Sequence, residues 1–368
     1  MHLKSIKVLN FKNLEEVNIS FSKKLNCFTG NNGAGKTNIL DAIFYLSFTK
    51  SYFNTSDVMN INSENNFFLI DGLFNKNEKT EQIYCGFNNK KKIFKRNDKA
   101  YKKFSEHIGL IPIVMISPDD SILITGSGEE RRRYIDSVIS QYDKEYLQNL
   151  IKYNKVILQR NKLLKNNLQT GYLDSITIEI YNEQLSEYGT LIYNKRNDFI
   201  KKLHKIFSEY YKQISKDNEN ISLTYQSHLF KDNLLNLFKT SIDKDKILGY
   251  TTKGIHRDDL IFKINNYSLR KTGSQGQQKT FLIALKFAQY DFVKEISKIK
   301  PLILLDDIFD KFDAERVEEI IKITSNENFG QIFITDTNPV RVKRLIDKEK
   351  GDFKLFNVEN GNVSLLDK

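Results

Sequence analysis

The chain predicts an α/β protein with a mixed β-sheet, a phosphate-binding loop and an inserted helical lobe, and three observations carry that class. The octapeptide Gly30-Asn31-Asn32-Gly33-Ala34-Gly35-Lys36-Thr37 fits the pattern G-x-x-x-x-G-K-[ST]. Continuous apolar runs, Leu302 to Leu305 and Ile332 to Thr335, have the texture of buried parallel strands. Between about residues 120 and 246 that texture gives way to long helical periodicity.

From the N-terminus, Leu3 to Phe11 and Leu14 to Phe21 alternate, with Val17, Ile19 and Phe21 on one face, and read as two strands joined through Lys12-Asn13. Leu25 to Thr29 is a third strand that feeds the glycine loop. Asn38 to Leu46 carries apolar residues at helical spacing behind it. Strand, glycine loop, helix is the order that phosphate binding requires. Glycines let backbone N–H groups close around phosphate oxygens, and the helix N-terminus favours negative charge. Phe67–Ile70, Gln82–Cys85 and Ile93-Phe94 continue the β pattern, separated by Asn/Lys-rich turns. The cluster Lys90, Lys91, Lys92, Lys95, Arg96 reads as a solvated hairpin tip or as a basic contact surface.

Ile111 to Ser117 is a short strand. Glu129 to Asn166 and Ile176 to Ile214 are long helical stretches, each spanning only ~50–60 Å at about 1.5 Å per residue. They are too short to form a long antiparallel coiled-coil arm. The expected division is an α/β domain from 1–119 and 247–368, interrupted by a helical lobe at 120–246. Asp259 to Ile264 resumes β structure, Lys271 to Gly276 is a polar loop, and Gln277 to Ile296 is a helix.

Composition bounds the function classes. The 368 residues carry 57 Lys+Arg against 46 Asp+Glu, a net charge of +11. Such a balance fits a polyanion partner, although Lys and Asn are abundant everywhere in the chain. Two cysteines, Cys27 and Cys85, make neither a disulfide framework nor a zinc site, and Cys27 reads as a small core residue. The first residues lack the apolar core of a signal peptide, and the longest apolar run is too short to span a bilayer. A soluble, cytoplasmic protein without membrane partners is expected.

In the loop, Lys36 is placed to reach the β/γ-phosphates, and the Thr37 hydroxyl to hold Mg²⁺. Asp306-Asp307 at the end of a buried strand supplies two carboxylates. Asp306 is assigned to the metal, and Asp307 to the attacking water beside the γ-phosphate. Lys36, Asp306 and Asp307 are thus the catalytic candidates, with ATP and Mg²⁺ as cofactors. Lys36 and Asp306 are far apart in sequence, so the fold must bring them together across the helical insertion. Ser274-Gln275-Gly276-Gln277-Gln278-Lys279 begins another helix. Ser274 reads as an ordinary N-cap, or as part of a second anion site that takes the nucleotide of another subunit.

Taken together, the loop extended to Asn38, Glu129–Asp136, Gly254–Asp259, Ser274–Lys279 and the paired acids resemble the ABC-type ATPase heads. Within these they resemble the RecF family of bacterial recombination mediators, whose Asn10-Phe11-Lys12-Asn13 stretch is also matched. Ile255 stands where that family usually has proline, Lys12 where arginine is usual, and Asp336 follows Thr335 where transporter ATPases have histidine. The resemblance implies an ABC-type head with an inserted lobe. It implies contacts to ATP from Gly30 to Asn38, and contacts in trans from Ser274, Gly276 and Gln277 in an ATP-dependent homodimer. It further implies duplex and gapped DNA as ligands, RecR as partner with RecO and RecA in the same pathway, RecA loading, and slow, DNA-stimulated ATP hydrolysis used as a switch. The rivals are another ABC-type ATPase subunit, of a transporter or of chromosome maintenance, and a DNA-binding scaffold with a decayed site. For His256 and Arg257 two readings stand: contact with nucleotide or lobe interface, or a turn tied by Arg257 to Asp258 or Asp259.

Overall fold

Alternation of buried and exposed residues organises six strands from the first hundred residues into an antiparallel sheet. The structure is a computed structural model that describes all residues except 89, 216–218, 310–313, 325–327, 339, 343–345, 347–351 and 367–368. The sheet contains β1 (His2–Phe11), β2 (Leu14–Ser20), β4 (Phe67–Lys76), β5 (Lys79–Asn88), β6 (Lys91–Arg96) and β7 (Lys99–Ala100), in the order β2-β1-β4-β5-β6-β7. A second sheet holds β3 (Leu25–Thr29), β8 (Ile113–Ile116), β12 (Leu302–Asp306), β13 (Ile332–Asp336), β14 (Phe353–Glu359) and β15 (Asn362–Leu365). Its order is β15-β14-β3-β13-β12-β8, parallel throughout except for the β14–β15 hairpin. The apolar run Leu302–Leu305 is fully buried, as a strand covered on both faces should be.

Helix α1 (Lys36–Phe48) packs against strands of both sheets, which explains why it is apolar nearly all round rather than amphipathic. Ile39, Ile43, Leu46, Phe28, Leu304, Phe333 and Ile70 share one core there. Burial holds the Cys27 thiol at about 12, so it behaves as the inert core residue expected.

The chain divides into two units. The first comprises Met1–Asp120, Gln213–Ser215 and Ile283–Lys368, and the second Ser121–Lys212 and Lys216–Leu282. The expected boundary at 246/247 therefore falls instead at Leu282/Ile283, inside helix α8 (Gln275–Ser297), and Ser274, Gly276 and Gln277 belong to the second unit. The cause is β pairing. Strand β10 (Asp259–Ile264) pairs with β9 (Ile221–Gln226) and β11 (Tyr267–Ser268) in a separate three-stranded sheet, not with the parallel one.

The second unit also contains α2 (Ile122–Thr125), α3 (Gly128–Ser140), α4 (Lys144–Thr170), most of α5 (Ser175–Ser215), α6 (Leu234–Leu248) and α7 (Leu269–Thr272). The stretch read as one helix from Glu129 to Asn166 breaks at Gln141–Asp143, because the Asp143 carboxylate caps α4, accepting from Tyr146 N–H at 2.9 Å. The unit is pinned by buried ion pairs. Arg160 donates to Asp245 (2.8 Å), Thr251 (2.7 Å) and Asn182 (2.8 Å). Arg196 pairs with Asp136 (2.9 Å) and Asp258 (3.3 Å).

Candidate nucleotide site

The glycine loop leaves β3 and enters α1 with Gly30, Gly33 and Gly35 all at positive φ. Two of these glycines are required by space as well. A Cβ on Gly30 would lie 2.2 Å from the Val358 carbonyl oxygen, and one on Gly35 would lie 2.9 Å from Asn13 Oδ1. Asn13 ties the loop to the helix, donating to the Gly33 carbonyl (3.2 Å) and accepting from Asn38 Nδ2 (2.7 Å). The Gly361 N–H of the β14–β15 turn donates to the Ala34 carbonyl at 2.8 Å. Neither of these braces is visible in the octapeptide itself.

The Lys36 ammonium is buried and donates to the carbonyls of Gly30 (2.7 Å) and Asn31 (2.8 Å). Burial pulls its pKa below the usual lysine value, against the attraction of Asp307, Asp306 and Asp336. Asn31, Asn32 and Gly33 lie on the exposed rim of the loop.

The two ends of the sequence meet at Thr37. Its hydroxyl lies 2.9 and 3.1 Å from the two carboxylate oxygens of Asp306, 269 positions away. Strand order explains the closure: β13 lies between β3 and β12, and all three run parallel, so their carboxyl ends converge. Thr335, at the end of β13, joins the two acids. Its hydroxyl donates to Asp306 Oδ1 (2.8 Å) and accepts from the Asp307 N–H (3.0 Å). Asp307 has φ 45°, in the left-handed region, so β12 ends between the two acids. Sequence reasoning left Thr335 without a role; its signals were its place at the end of an apolar strand and the resemblance to the strand that precedes the histidine of transporter ATPases.

Burial raises the Asp306 pKa above the usual carboxylate range. The Thr335 and Thr37 hydrogen bonds oppose the rise, Asp307 adds to it and Lys36 opposes it. A buried carboxylate next to a hydroxyl, both hard oxygen donors, is the kind of pair that holds a divalent cation. Mg²⁺ typically takes one or two protein ligands and fills its shell with water and phosphate oxygens. No cluster of three metal-binding side chains occurs among the described residues, and a phosphate-bridged Mg²⁺ needs none.

Ser274 caps α8 through a reciprocal pair. Its hydroxyl accepts from Gln277 N–H (3.2 Å), and its own N–H donates to Gln277 Oε1 (2.8 Å). The side chain is exposed, and Gly276 and Gln277 are half-buried. The cap reading is thus realised, and it leaves the serine at the surface.

The other singled-out residues make contacts within the protein. His256 Nδ1 lies 2.9 Å from the Tyr153 hydroxyl and Nε2 lies 3.0 Å from the Thr251 carbonyl oxygen; burial lowers its pKa to about 4, so it is neutral. The turn tied by Arg257 to Asp258 or Asp259 is corrected. Arg257 donates to the Thr251 carbonyl oxygen and lies over the Tyr250 ring, while Asp259 takes Arg131 at 2.7 Å. Arg132 donates to the Asp258 carbonyl oxygen (2.6 Å), so the Glu129–Asp136 and Gly254–Asp259 stretches form two sides of one ionic network. Lys12 pairs with buried Asp41 at 2.7 Å and lies between the Phe11 and Phe53 rings. The basic hairpin is only partly solvated: Lys92 pairs with Asp57 (2.8 Å) and Arg96 with Glu81 (2.7 Å).

Residues 2–361 match the RecF/RecN/SMC N terminal domain family. The chain is 49% identical to the DNA replication and repair protein RecF of Bacteroides fragilis, over 100% of this chain and 99% of that one. It is 49% identical to the protein of the same name from Flavobacterium johnsoniae, over 97% of this chain and 100% of that one. A solved structure of the recombination mediator protein RecF-ATP in the RecFOR pathway superposes with TM-score 0.89 at 31% identity, covering 100% of this chain and 98% of the other. An Smc head bound to the C-winged helix domain of ScpA is similar in fold alone, with TM-score 0.59 at 17% identity over 100% and 97% of the two chains. The fold is the ABC-type ATPase head shared by RecF and SMC proteins, and the chain belongs to the RecF family.

Proposed function

We propose that this protein is a nucleotide-gated DNA-binding ATPase of DNA replication and repair. Mg·ATP binds the glycine loop of one copy, and Ser274, Gly276 and Gln277 of a second copy close over it. The resulting homodimer holds duplex or gapped DNA. Through RecR, with RecO, it promotes RecA loading, and slow hydrolysis stimulated by DNA releases it. In energetic terms this is a population shift, because ATP binds the closed dimer better than the open monomer.

The observation that carries the reading is the 2.9 Å contact between Thr37 and Asp306, which assembles loop, hydroxyl and acid at one end of the parallel sheet. The ATP-bound RecF structure, similar over the whole chain, supports the choice of nucleotide. Mg²⁺ would be held by Thr37 and Asp306 and would neutralise charge on the phosphates. Lys36 would exchange its loop carbonyls for phosphate oxygens. Asp307, the residue after the strand end, would orient the attacking water and accept its proton. The surplus of cations, +11 overall, supports phosphate contacts with DNA. No helix among the described residues is long and apolar enough to cross a membrane.

The test is duplex DNA binding by fluorescence anisotropy, with and without ATP and across a salt series, beside ATPase rates with and without DNA. Binding should require ATP and weaken steeply with salt, with little sequence preference. Lys36→Ala should lose ATP-dependent dimerisation in sizing chromatography. Binding indifferent to ATP and to salt would refute the gated clamp.

A further inference from the structure

The amino ends of the same parallel strands frame a cavity of about 570 Å³ that the nucleotide site does not use. Lys24 precedes β3, Lys300 precedes β12, and Gln331 precedes β13. The glycine loop and Asp306 lie at the opposite, carboxyl ends. Five-residue strands separate the two ends by about 17 Å at roughly 3.3 Å per residue, so this is not a lobe of the nucleotide pocket.

Its wall is formed by His2, Lys23, Lys24, Lys76, Lys298 and Lys300, and no acidic side chain is among its described lining residues. The five lysines come from three separate segments of the first unit, and His2 from a fourth, so folding, not local sequence, brings them together. The floor is fixed. Buried Gln331 accepts from Leu3 N–H (2.7 Å) and donates to the carbonyls of Leu3 (2.8 Å) and Ser22 (2.7 Å), which locks β1, the turn before β3 and β13 to one another. Burial lowers the His2 pKa, and the neighbouring positive charges of the chain's amino group, Lys23 and Lys4 lower it further. The Asp352 carboxylate accepts from the Lys23 N–H (3.1 Å) beside the pocket, and Lys76 donates to the Leu110 carbonyl oxygen (3.1 Å). The lysines outnumber this acid, and a concavity with an excess of one sign of charge focuses the field and favours a multivalent anion. Lysines act as point charges toward phosphate.

We propose that this pocket is a second phosphate-binding site, separate from the glycine loop, that takes the phosphate groups of a nucleic-acid strand or of a free polyphosphate. A scatter of surface lysines would show the same net charge but no common site, and the test separates the two.

Calorimetric binding of inorganic tripolyphosphate is measured in a Lys36→Ala background, which removes the loop ammonium. Adding Lys23→Glu, Lys24→Glu, Lys298→Glu and Lys300→Glu should weaken the remaining binding at least ~10-fold. Lys155→Glu, Lys162→Glu, Lys165→Glu and Lys201→Glu, an equal change of charge at exposed positions of α4 and α5, should leave it within about 2-fold. A milder Lys24→Gln, Lys300→Gln pair serves if the four reversals prevent folding, and should weaken binding in the same direction. A single-stranded oligonucleotide run as a second arm identifies the source. A parallel loss, with a salt slope reduced by about 0.7 for each phosphate contact removed, assigns strand phosphates. Loss for tripolyphosphate alone assigns a free polyphosphate. Binding unchanged in the pocket variants, equal losses in pocket and control variants, or no binding of either probe overturns the proposal.

Discussion

Thr335→Val tests whether the hydroxyl at the end of β13 sets the geometry of both acids. Valine preserves the shape and removes one donor and one acceptor. The bond lost to Asp306, 2.8 Å and directed at a buried carboxylate, is worth about 1.5–3 kcal/mol. The bond lost from the Asp307 N–H is worth less, because the Thr335 carbonyl oxygen lies 3.3 Å from the same donor. A net cost of roughly 2 kcal/mol is expected, lowering the melting temperature by about 4–8 °C for a unit of this size. The same change alters the pH response. The folded pKa of Asp306 is already raised above its ordinary 3.8, so the folded protein holds the extra proton in the window just above that value. Stability from this group is therefore lost as pH rises through the window, while cation binding, which needs the carboxylate, is gained. Removing the Thr335 hydrogen bond takes away a contribution that lowers the pKa, so the window moves upward. Mg·ATP affinity should fall ~10-fold near neutrality, and its half-loss on acidification should shift to higher pH. Thr335→Ser should restore both. The assays are thermal unfolding without nucleotide and calorimetric titration of Mg·ATP between acidic and neutral pH. A Thr335→Val protein with wild-type melting temperature and unshifted Mg·ATP binding would remove Thr335 from the site.

Ser274→Arg should leave ATP binding by the monomer nearly intact and block ATP-dependent dimers in sizing chromatography; lost ATP binding in the monomer would place the serine in cis or in folding. Loss of the cap itself costs about 1 kcal/mol, so Ser274→Ala is the control for stability alone. Asp307→Asn should keep Mg·ATP binding, slow single-turnover hydrolysis and lengthen the lifetime of DNA complexes, whereas Asp306→Asn should weaken Mg·ATP binding and dimerisation together. Normal hydrolysis in the first and a trapped dimer in the second would reverse the two assignments. Arg160→Leu should destabilise the second unit by about 3–5 kcal/mol, because it leaves the buried Asp245 carboxylate without its cation; a change in urea unfolding below about 1 kcal/mol would show that the pair contributes little.

By itself the sequence determined what is local. The glycine loop, the buried run Leu302–Leu305, the alternating first strands and the long helix Ser175–Ser215 were all legible, because periodicity and loop chemistry act over a few neighbouring residues. Lys36, Thr37 and Asp306 could be named from residue type and flanking context, and Ser274 as a cap from its position before a helix. Tertiary structure decided which strand pairs with which. β10 looks like any resumed strand, yet it pairs with β9 and carries Ser274 into the second unit, since backbone hydrogen bonding is blind to sequence distance. It also decided that Thr37 meets Asp306, that Thr335 joins the two acids, and that Asn13 and Gly361 brace the loop. These partners come from separate strands and turns. Their meeting follows from the parallel order of β3, β13 and β12, which no window of local sequence contains.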